Sequence, residues 1–422
     1  MKLTFLGACR QVGKSSVLAQ LGDVRLLLDC GLRVHTEHAA PPIHQYKFDA
    51  CVLSHAHLDH SGATPLAARE GRGPVFATFP TIPITQLLLD DNEKVSLRNH
   101  RALPFKKQDV KSLYKKFFGL PYGLNYEFYD GTRFKFLDAG HIIGAAQILV
   151  EHKGKRLLYS GDLNGCETRM HNPAKPPEKE VDALIVESTY ANREHPPRDE
   201  LERRFVSEVQ KAVDDDCVAL VPCFAVGRTQ EVLQVLHANR LRGDVFLQGM
   251  GATVSEISLD FPSYVKNAGL LNASLARAKR IESKEQRQRV VEKPCVIVAT
   301  AGMLDGGPAL SYLQALNRRG NGVIFMTGFQ VPGTNGSLLA AGERIWVNER
   351  SRREAVHIPF SQWDFSAHSG KTQLLDYVKK VNAERVFCMH GDAAVCVEFA
   401  RELREEHGFN AVAPMEEEQF NV

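Results

Sequence analysis

Nine cysteines are scattered along the 422 residues without a C-x-x-C pair. An odd, unpatterned count argues against a disulfide framework and for a reducing compartment. No run approaches the ~18 apolar residues that a membrane span needs. The apolar stretch inside the opening MKLTFLGACRQVG is too short for a secretion signal and reads as a first strand. These absences predict a cytoplasmic protein with no membrane partner. The net charge is only +2, so bulk charge does not mark a nucleic-acid binder, and any basic surface has to be local. Internal repeats, low-complexity tracts and Pro/Ser-rich linkers are also missing, so no domain boundary announces itself. With 44% hydrophobic and 24% charged residues the balance is that of a globular chain, which excludes disorder along its whole length. The length suits two or three domains.

What is present is a recurring pattern. Short, strand-like apolar runs stop abruptly in a polar or glycine-containing segment: 24–29, 50–54, 156–160, 183–187, 218–222, 296–300, 323–327 and 385–389. Near-continuous apolar runs of this length suit strands buried on both faces. Amphipathic helices are predicted between several of them. Leu374, Leu375, Val378 and Val381 share one face of 371–382, and Val395, Phe399 and Leu403 share one face of 393–405. The first 30 residues read instead as a meander with short turns. The fold class is α/β with mixed sheets. Sites in such sheets form where strands end, and the unusual residues sit there: Asp29, His55, Asp162, Glu187 and His390.

Residues 54–60 read Ser-His-Ala-His-Leu-Asp-His. Three imidazoles and a carboxylate so close together fit neither a helical apolar face nor a strand pattern. They do suit borderline metals such as zinc. His141 in DAGHIIGA, Asp162 in YSGDLN and His390 in CMHGD supply further ligand types in strand-end contexts. A lone strand-end histidine is more often structural; together with 55–60 these residues complete a set.

Asp29, then HAHLDH, then His141, then Asp162 resembles the successive motifs of the metallo-β-lactamase superfamily. Glu187 in VESTY, His368 in FSAHSG and His390 in MHGD resemble the three motifs of its β-CASP nucleases, and CFAVGRTQE (223–231) and TAGMLDGGP (300–308) also match. The subgroup is similar to the endonuclease subunit of the cleavage and polyadenylation specificity factor and its archaeal and bacterial relatives. Ala191, Ser369-Gly370 and Asp392 depart from the common pattern without removing a ligand type.

The resemblance implies a metallo-β-lactamase αββα sandwich formed by 1–190 and 356–422, with an α/β β-CASP domain inserted at 191–355. It implies a form without the KH domains of some archaeal relatives. It also implies two zinc ions: His55, His57 and His141 on one, Asp59, His60 and His390 on the other, and Asp162 bridging. Asp29 would orient ligands from behind. His368 would protonate the leaving oxygen, with Glu187 holding its tautomer. Asp59 and Asp29 complete the expected catalytic set. The implied activity is hydrolysis of single-stranded RNA to 5′-phosphate and 3′-hydroxyl ends, by endonuclease or 5′→3′ exonuclease action, in RNA 3′-end processing or turnover. A homodimer is left open.

Arg228 and Thr229 begin a predicted helix after a strand, where free N–H groups favour a substrate phosphate; an ordinary helix start is the plainer reading. Basic residues at 106–116 and 277–289 could track a single strand, or could simply form solvated helix faces. Gly13-Lys14-Ser15 and Gly370-Lys371-Thr372 resemble the end of a phosphate-binding P-loop, but the required earlier glycine is absent: Ala8 and Phe365 stand in its place. Rival functions are a DNA-directed nuclease of the same group, disfavoured by His390, and a non-catalytic scaffold, disfavoured by the complete ligand set.

Overall fold

The computed structural model describes residues 1–33, 40–98, 100–347 and 351–422. They pack as two compact units. One consists of Met1–Glu167, Asn172–Glu194 and His368–Val422; the other of Thr168–His171 and His195–Ala367. This division differs from the boundaries read from sequence. Residues 356–367 fall in the second unit because the strand Phe360–Trp363 pairs in parallel with Gly322–Thr327 of its sheet. The short segment 168–171 belongs there as well, held by Glu231, which accepts the N–H groups of Arg169 and Met170 at 2.9 Å each.

The first unit is built on two seven-stranded sheets. In one, the antiparallel strands Lys2–Gly7, Ser16–Gln20 and Arg25–Leu28 form the expected meander, continued in parallel by Ala50–Val52, Val75–Thr78 and Phe117–Leu120. In the other, Lys155–Tyr159, Ala183–Glu187 and Arg385–Met389 run in parallel side by side. A strand from near the C-terminus thus pairs with one two hundred residues earlier.

Period-2 alternation explains the layering. Phe5, Leu26, Leu28, Val52 and Phe76 from the first sheet meet Phe134, Ile148, Leu157, Ile185 and Phe387 from the second in one core. The opposite-parity residues face helices. Leu149, Leu158, Leu184 and Val186 pack on Lys371–Val381 and Ala393–Glu405. Leu27, Leu53 and Val75 pack on Thr64–Glu70 and Lys107–Lys116. The result is the αββα sandwich. Each fully buried aliphatic or aromatic side chain contributes roughly 1.5–3 kcal/mol relative to exposure, so both faces of both sheets contribute.

The second unit is an open six-stranded sheet in which every pairing is parallel. In Val218–Pro222, Ala219 and Val221 face the helices Arg198–Asp214 and Arg228–Ala238, while Val218 and Leu220 face Gly307–Arg319. No described helix is long and apolar enough to cross a membrane.

Candidate metal centre

Every residue of the centre comes from the first unit, and most sit where a strand ends. Arg25–Leu28 stops at Asp29, which adopts φ 59°. Ala50–Val52 leads into Ser54 and His55, and the four-residue helix Leu58–Ser61 carries Asp59 and His60. His141 lies in the loop after Arg133–Asp138, Asp162 follows Lys155–Tyr159, and His390, at φ 52°, follows Arg385–Met389. Gly31 lets two of these loops touch: a Cβ there would lie 1.7 Å from Asp59 O.

Two donor sets converge. His55, His57, His141 and Asp162 each offer an atom within 4.8 Å of the others, and so do Asp59, His60, Asp162 and His390. His141 Nε2 is 3.1 Å from His57 Nδ1, and 3.7 Å from Asp162 Oδ2. His55 Nε2 lies 3.5 Å from the same oxygen. On the other side, His60 Nε2 is 3.1 Å from Asp162 Oδ1 and 3.2 Å from His390 Nε2. Asp59 Oδ2 is 3.3 Å from His390 Nε2. Asp162 is common to both sets.

A divalent metal fits these residues. His55 is fully buried, its Nδ1 lies 3.0 Å from Ser54 Oγ, and its Nε2 has no hydrogen-bond partner although it points into the cluster. An orphaned buried nitrogen of this kind calls for an electrophile. Burial, aided by His60, holds the His55 imidazole well below its ordinary pKa; burial also lowers His57, so both keep lone pairs to donate. Burial alone would raise Asp162, but His390 and His60 overcome it and hold the carboxyl well below the usual range. Histidine nitrogens and carboxylate oxygens in such sets are zinc ligands by type.

Behind the cluster, Asp29 accepts Ser54 N–H at 2.6 Å, Ser54 Oγ–H at 2.7 Å and the Tyr159 hydroxyl at 2.8 Å, and lies 2.7 Å from His60 Nδ1. It belongs to neither donor set and orients His60 from behind. Beside Asp162, His368 Nδ1 lies 2.9 and 3.1 Å from the two oxygens of Glu187. Glu187 is itself fixed by Leu163 N–H at 2.7 Å and the Thr189 hydroxyl at 2.5 Å. His368 does not cap the helix Lys371–Val381. Gly370 is the cap residue, with its N–H donated to Gln373 Oε1 at 3.1 Å.

Family models match along the chain: a metallo-beta-lactamase superfamily domain at residues 18–182, a Beta-Casp domain at 229–339, and a Zn-dependent metallo-hydrolase RNA specificity domain at 356–414. A probable RNase of Methanocaldococcus jannaschii is 32% identical over 432 residues, covering 100% of both chains. The RNase aCSPSF2 of Saccharolobus solfataricus is 31% identical, covering 100% of this chain and 85% of its own. The chain belongs to the β-CASP ribonucleases of the metallo-β-lactamase superfamily. A transcription termination factor of Methanosarcina mazei is similar too, 32% identical with 95% of this chain and 68% of its own covered. A crystal structure of a protein of unknown function from Enterococcus faecalis V583 shares the fold, with TM-score 0.59 at 15% identity, covering 99% of each chain.

As a β-CASP ribonuclease the chain is a metal-dependent hydrolytic nuclease, and several of its site residues escaped the sequence reading. Ser54, Tyr159 and Thr189 hold Asp29 and Glu187 in place. All three lie inside the quoted stretches, but nothing in a motif says which hydroxyl is a support. The sequence-predicted Thr229 is fully buried, and its hydroxyl donates to Phe224 O at 2.7 Å, so it is engaged within its own unit. In this β-CASP ribonuclease Lys107–Lys116 is an amphipathic helix with Val110 and Leu113 buried and Lys107, Lys111 and Lys115 in solvent. In 277–289, Lys279 pairs with Asp244 at 2.9 Å, Arg280 pairs with Glu256, and Arg277 donates to Leu241 O. Gly13-Lys14-Ser15 joins two antiparallel strands, with Lys14 Nζ 2.6 Å from Glu416 Oε1, so it is no P-loop.

Proposed function

We propose that the chain hydrolyses single-stranded RNA with two zinc ions. His55, His57, His141 and Asp162 would hold one ion, and Asp59, His60, His390 and Asp162 the other. The products are 5′-phosphate and 3′-hydroxyl ends, formed by internal or 5′→3′ cutting in RNA 3′-end processing or turnover. The observation that carries this reading is the membership of Asp162 in both donor sets. RNA as substrate is supported by the relatives named as RNases and by the RNA specificity domain matched at 356–414. Nine free thiols support a reducing cytoplasm.

When bound, the ions supply Lewis acidity toward a water and toward phosphate oxygens. In the hydrolysis a water oxygen bonds to phosphorus and the P–O3′ bond breaks, so O3′ must gain a proton. His368 is the donor. Glu187 holds Nδ1 and so fixes the tautomer and the orientation of the ring. Burial works to lower the imidazole pKa, and the Glu187 carboxylate against Nδ1 opposes it and favours the protonated ring.

Zinc analysis tests the first claim: two equivalents per chain are expected, and a value near zero after metal-replete expression overturns it and favours the scaffold reading. His368→Ala should slow cleavage about 10²–10⁴-fold with metal content intact. Glu187→Gln should show a weaker form of the defect, and the two should not add. A substrate with sulfur at the 3′ bridging position needs little protonation, so it should restore much of the His368→Ala rate. Failure of that rescue removes His368 as the proton donor. RNA labelled at either end, with and without a 5′ triphosphate, separates internal from terminal cutting.

A further inference from the structure

In an open parallel sheet, ligands bind outside the carboxyl ends of the strands, at the crevice where two neighbouring strands send their connections in opposite directions. The second unit has such a crevice. Val218–Pro222 and Cys295–Ala299 are neighbours. The chain leaves the first through Arg228–Ala238 and reaches Val245–Gln248 on one side. It leaves the second through Gly307–Arg319 and reaches Gly322–Thr327 on the other. The two helices cover opposite faces of the sheet. The first residue of the helix that opens at this crevice is Arg228.

Arg228 is only 8% exposed, its Nε is buried without a hydrogen-bond partner, and it forms no ion pair among the described residues. Nearby carboxylates are already engaged. Glu231 accepts the Arg198 guanidinium and the N–H groups of Arg169 and Met170. Asp364 Oδ2 lies 2.9 Å from His195 Nδ1. Burial, helped by Arg198, pushes Arg228 down to about 10, so it is still a cation at neutral pH. Glu231 and Asp364 favour the charge without forming a direct ion pair. A buried cation without a direct ion pair is costly, and an apolar or amide side chain of similar length would be cheaper.

The helix start offers little else to an anion. Gly227 N–H donates to Gln230 Oε1 at 2.8 Å, Arg228 N–H to Val226 O at 3.0 Å, and Thr229 N–H to Phe224 O at 3.1 Å. The guanidinium is the unfilled group, and it sits at the positive end of an eleven-residue helix. The loop after Gly322–Thr327 passes beside it as bare backbone: a Cβ on Gly328, at φ +102°, would lie 3.8 Å from Arg228 Nε and from Phe224 Cε2.

We infer that Arg228 is an anion subsite of the second unit that takes a backbone phosphate of the RNA strand. The inference rests on the RNA reading above. A guanidinium matches phosphate geometry and reads no base edge, so the contact adds affinity without sequence preference.

The test uses the zinc-loaded full chain and a single-stranded oligoribonucleotide over a range of KCl. Arg228→Gln should raise KM about 10-fold or more while kcat changes less than about 3-fold. The dependence of log(kcat/KM) on log salt should become shallower by about 0.7, the value for one phosphate on a single strand. Arg228→Lys, which keeps the charge, should recover part of the KM. Thermal melts with inorganic phosphate give a reading that does not involve RNA: phosphate should raise the wild-type Tm by more than that of Arg228→Gln. Without phosphate, Arg228→Gln should melt at or above the wild-type temperature, because it removes a buried charge that has no direct ion pair. A wild-type KM and salt slope in Arg228→Gln overturns the subsite while leaving the RNA reading intact. A Tm lowered by Arg228→Gln and restored by Arg228→Lys shows a structural arginine and also overturns it. A wild-type enzyme that melts with the phosphate response but neither binds nor cuts RNA overturns the RNA reading instead.

Discussion

The side chains of the metal centre differ in how many neighbours they serve, and this ranks their substitutions. Asp162 belongs to both donor sets, so Asp162→Ala should reduce zinc from the proposed two equivalents to near zero and abolish cleavage. Retention of one firmly bound zinc by that variant would show that the two sets are independent. Asp29 belongs to neither donor set but fixes His60 and Ser54. Asp29→Asn should therefore keep the ligands and lose about 10- to 100-fold in metal affinity or rate. A different residue governs acid stability of the second unit. Burial pushes His171 down to about 4, against an ordinary value of 6.5. Its folded-state pKa is the lower one, so the stability is fully present above about pH 6.5. As pH falls from 6.5 to 4 the unfolded chain takes up a proton that the folded chain refuses, at a cost of up to about 3 kcal/mol. His171→Gln should remove this component. Urea melts at pH 7.5 and 5 would show it as a smaller acid loss in the variant than in wild type; equal losses would rule it out.

Among the elements, the loop after Arg25–Leu28 and the turn 57–61 are locked by backbone contacts as well as by the Asp29–His60 side-chain contact. Ser15 N–H donates to Asp59 O at 2.8 Å and Gly31 N–H to Ser15 O at 2.9 Å. With a Cβ only 1.7 Å from Asp59 O, Gly31→Ala must displace the turn that carries Asp59 and His60. The expected result is zinc below one equivalent per chain and a stability loss of about 2 kcal/mol or more. Full zinc content and an unchanged urea midpoint would mean that the loops separate freely. The basic helix Lys107–Lys116 makes the opposite case. Its lysines at 107, 111 and 115 lie in solvent while Val110 and Leu113 carry the packing. Replacing all three by Glu should change stability by less than about 0.5 kcal/mol per site and leave the KM for RNA within about twofold. A larger rise in KM would assign this face to RNA after all.

At the scale of the whole molecule, the first unit is discontinuous in sequence. Arg385–Met389 pairs with Ala183–Glu187, Gln419–Asn421 pairs with Lys2–Gly7, and Phe387 packs against Phe5 and Phe420 with ring centroids 5.1 and 5.0 Å apart. The final segment therefore supplies sheet interior as well as His368 and His390. A chain ending at residue 367 would expose the edge of Ala183–Glu187 and one face of the central core. It should fail to fold, with no cooperative thermal transition and no bound zinc. A truncated chain that melts cooperatively would show that the last 55 residues dock on a finished domain.

The sequence by itself determined the parts that depend on local chemistry. Apolar runs bounded by polar residues became strands such as Ala183–Glu187 and Val218–Pro222, because a strand buried on both faces leaves that imprint in order along the chain. The periodic stretches at 371–382 and 393–405 became helices for the same reason. The cluster at 55–60 needed no fold to look like a metal site. Only the tertiary structure decided what depends on long-range pairing: that His390 lies 3.2 Å from His60 across 330 residues, that Tyr159 and Thr189 are the hydroxyls behind Asp29 and Glu187, and that 168–171 and 356–367 pack with the second unit. It also separated Thr229, whose donors are taken, from Arg228, whose guanidinium is left without a partner. Residue type and spacing record what a side chain can donate or accept; which donors and acceptors are already satisfied is settled only when distant segments meet.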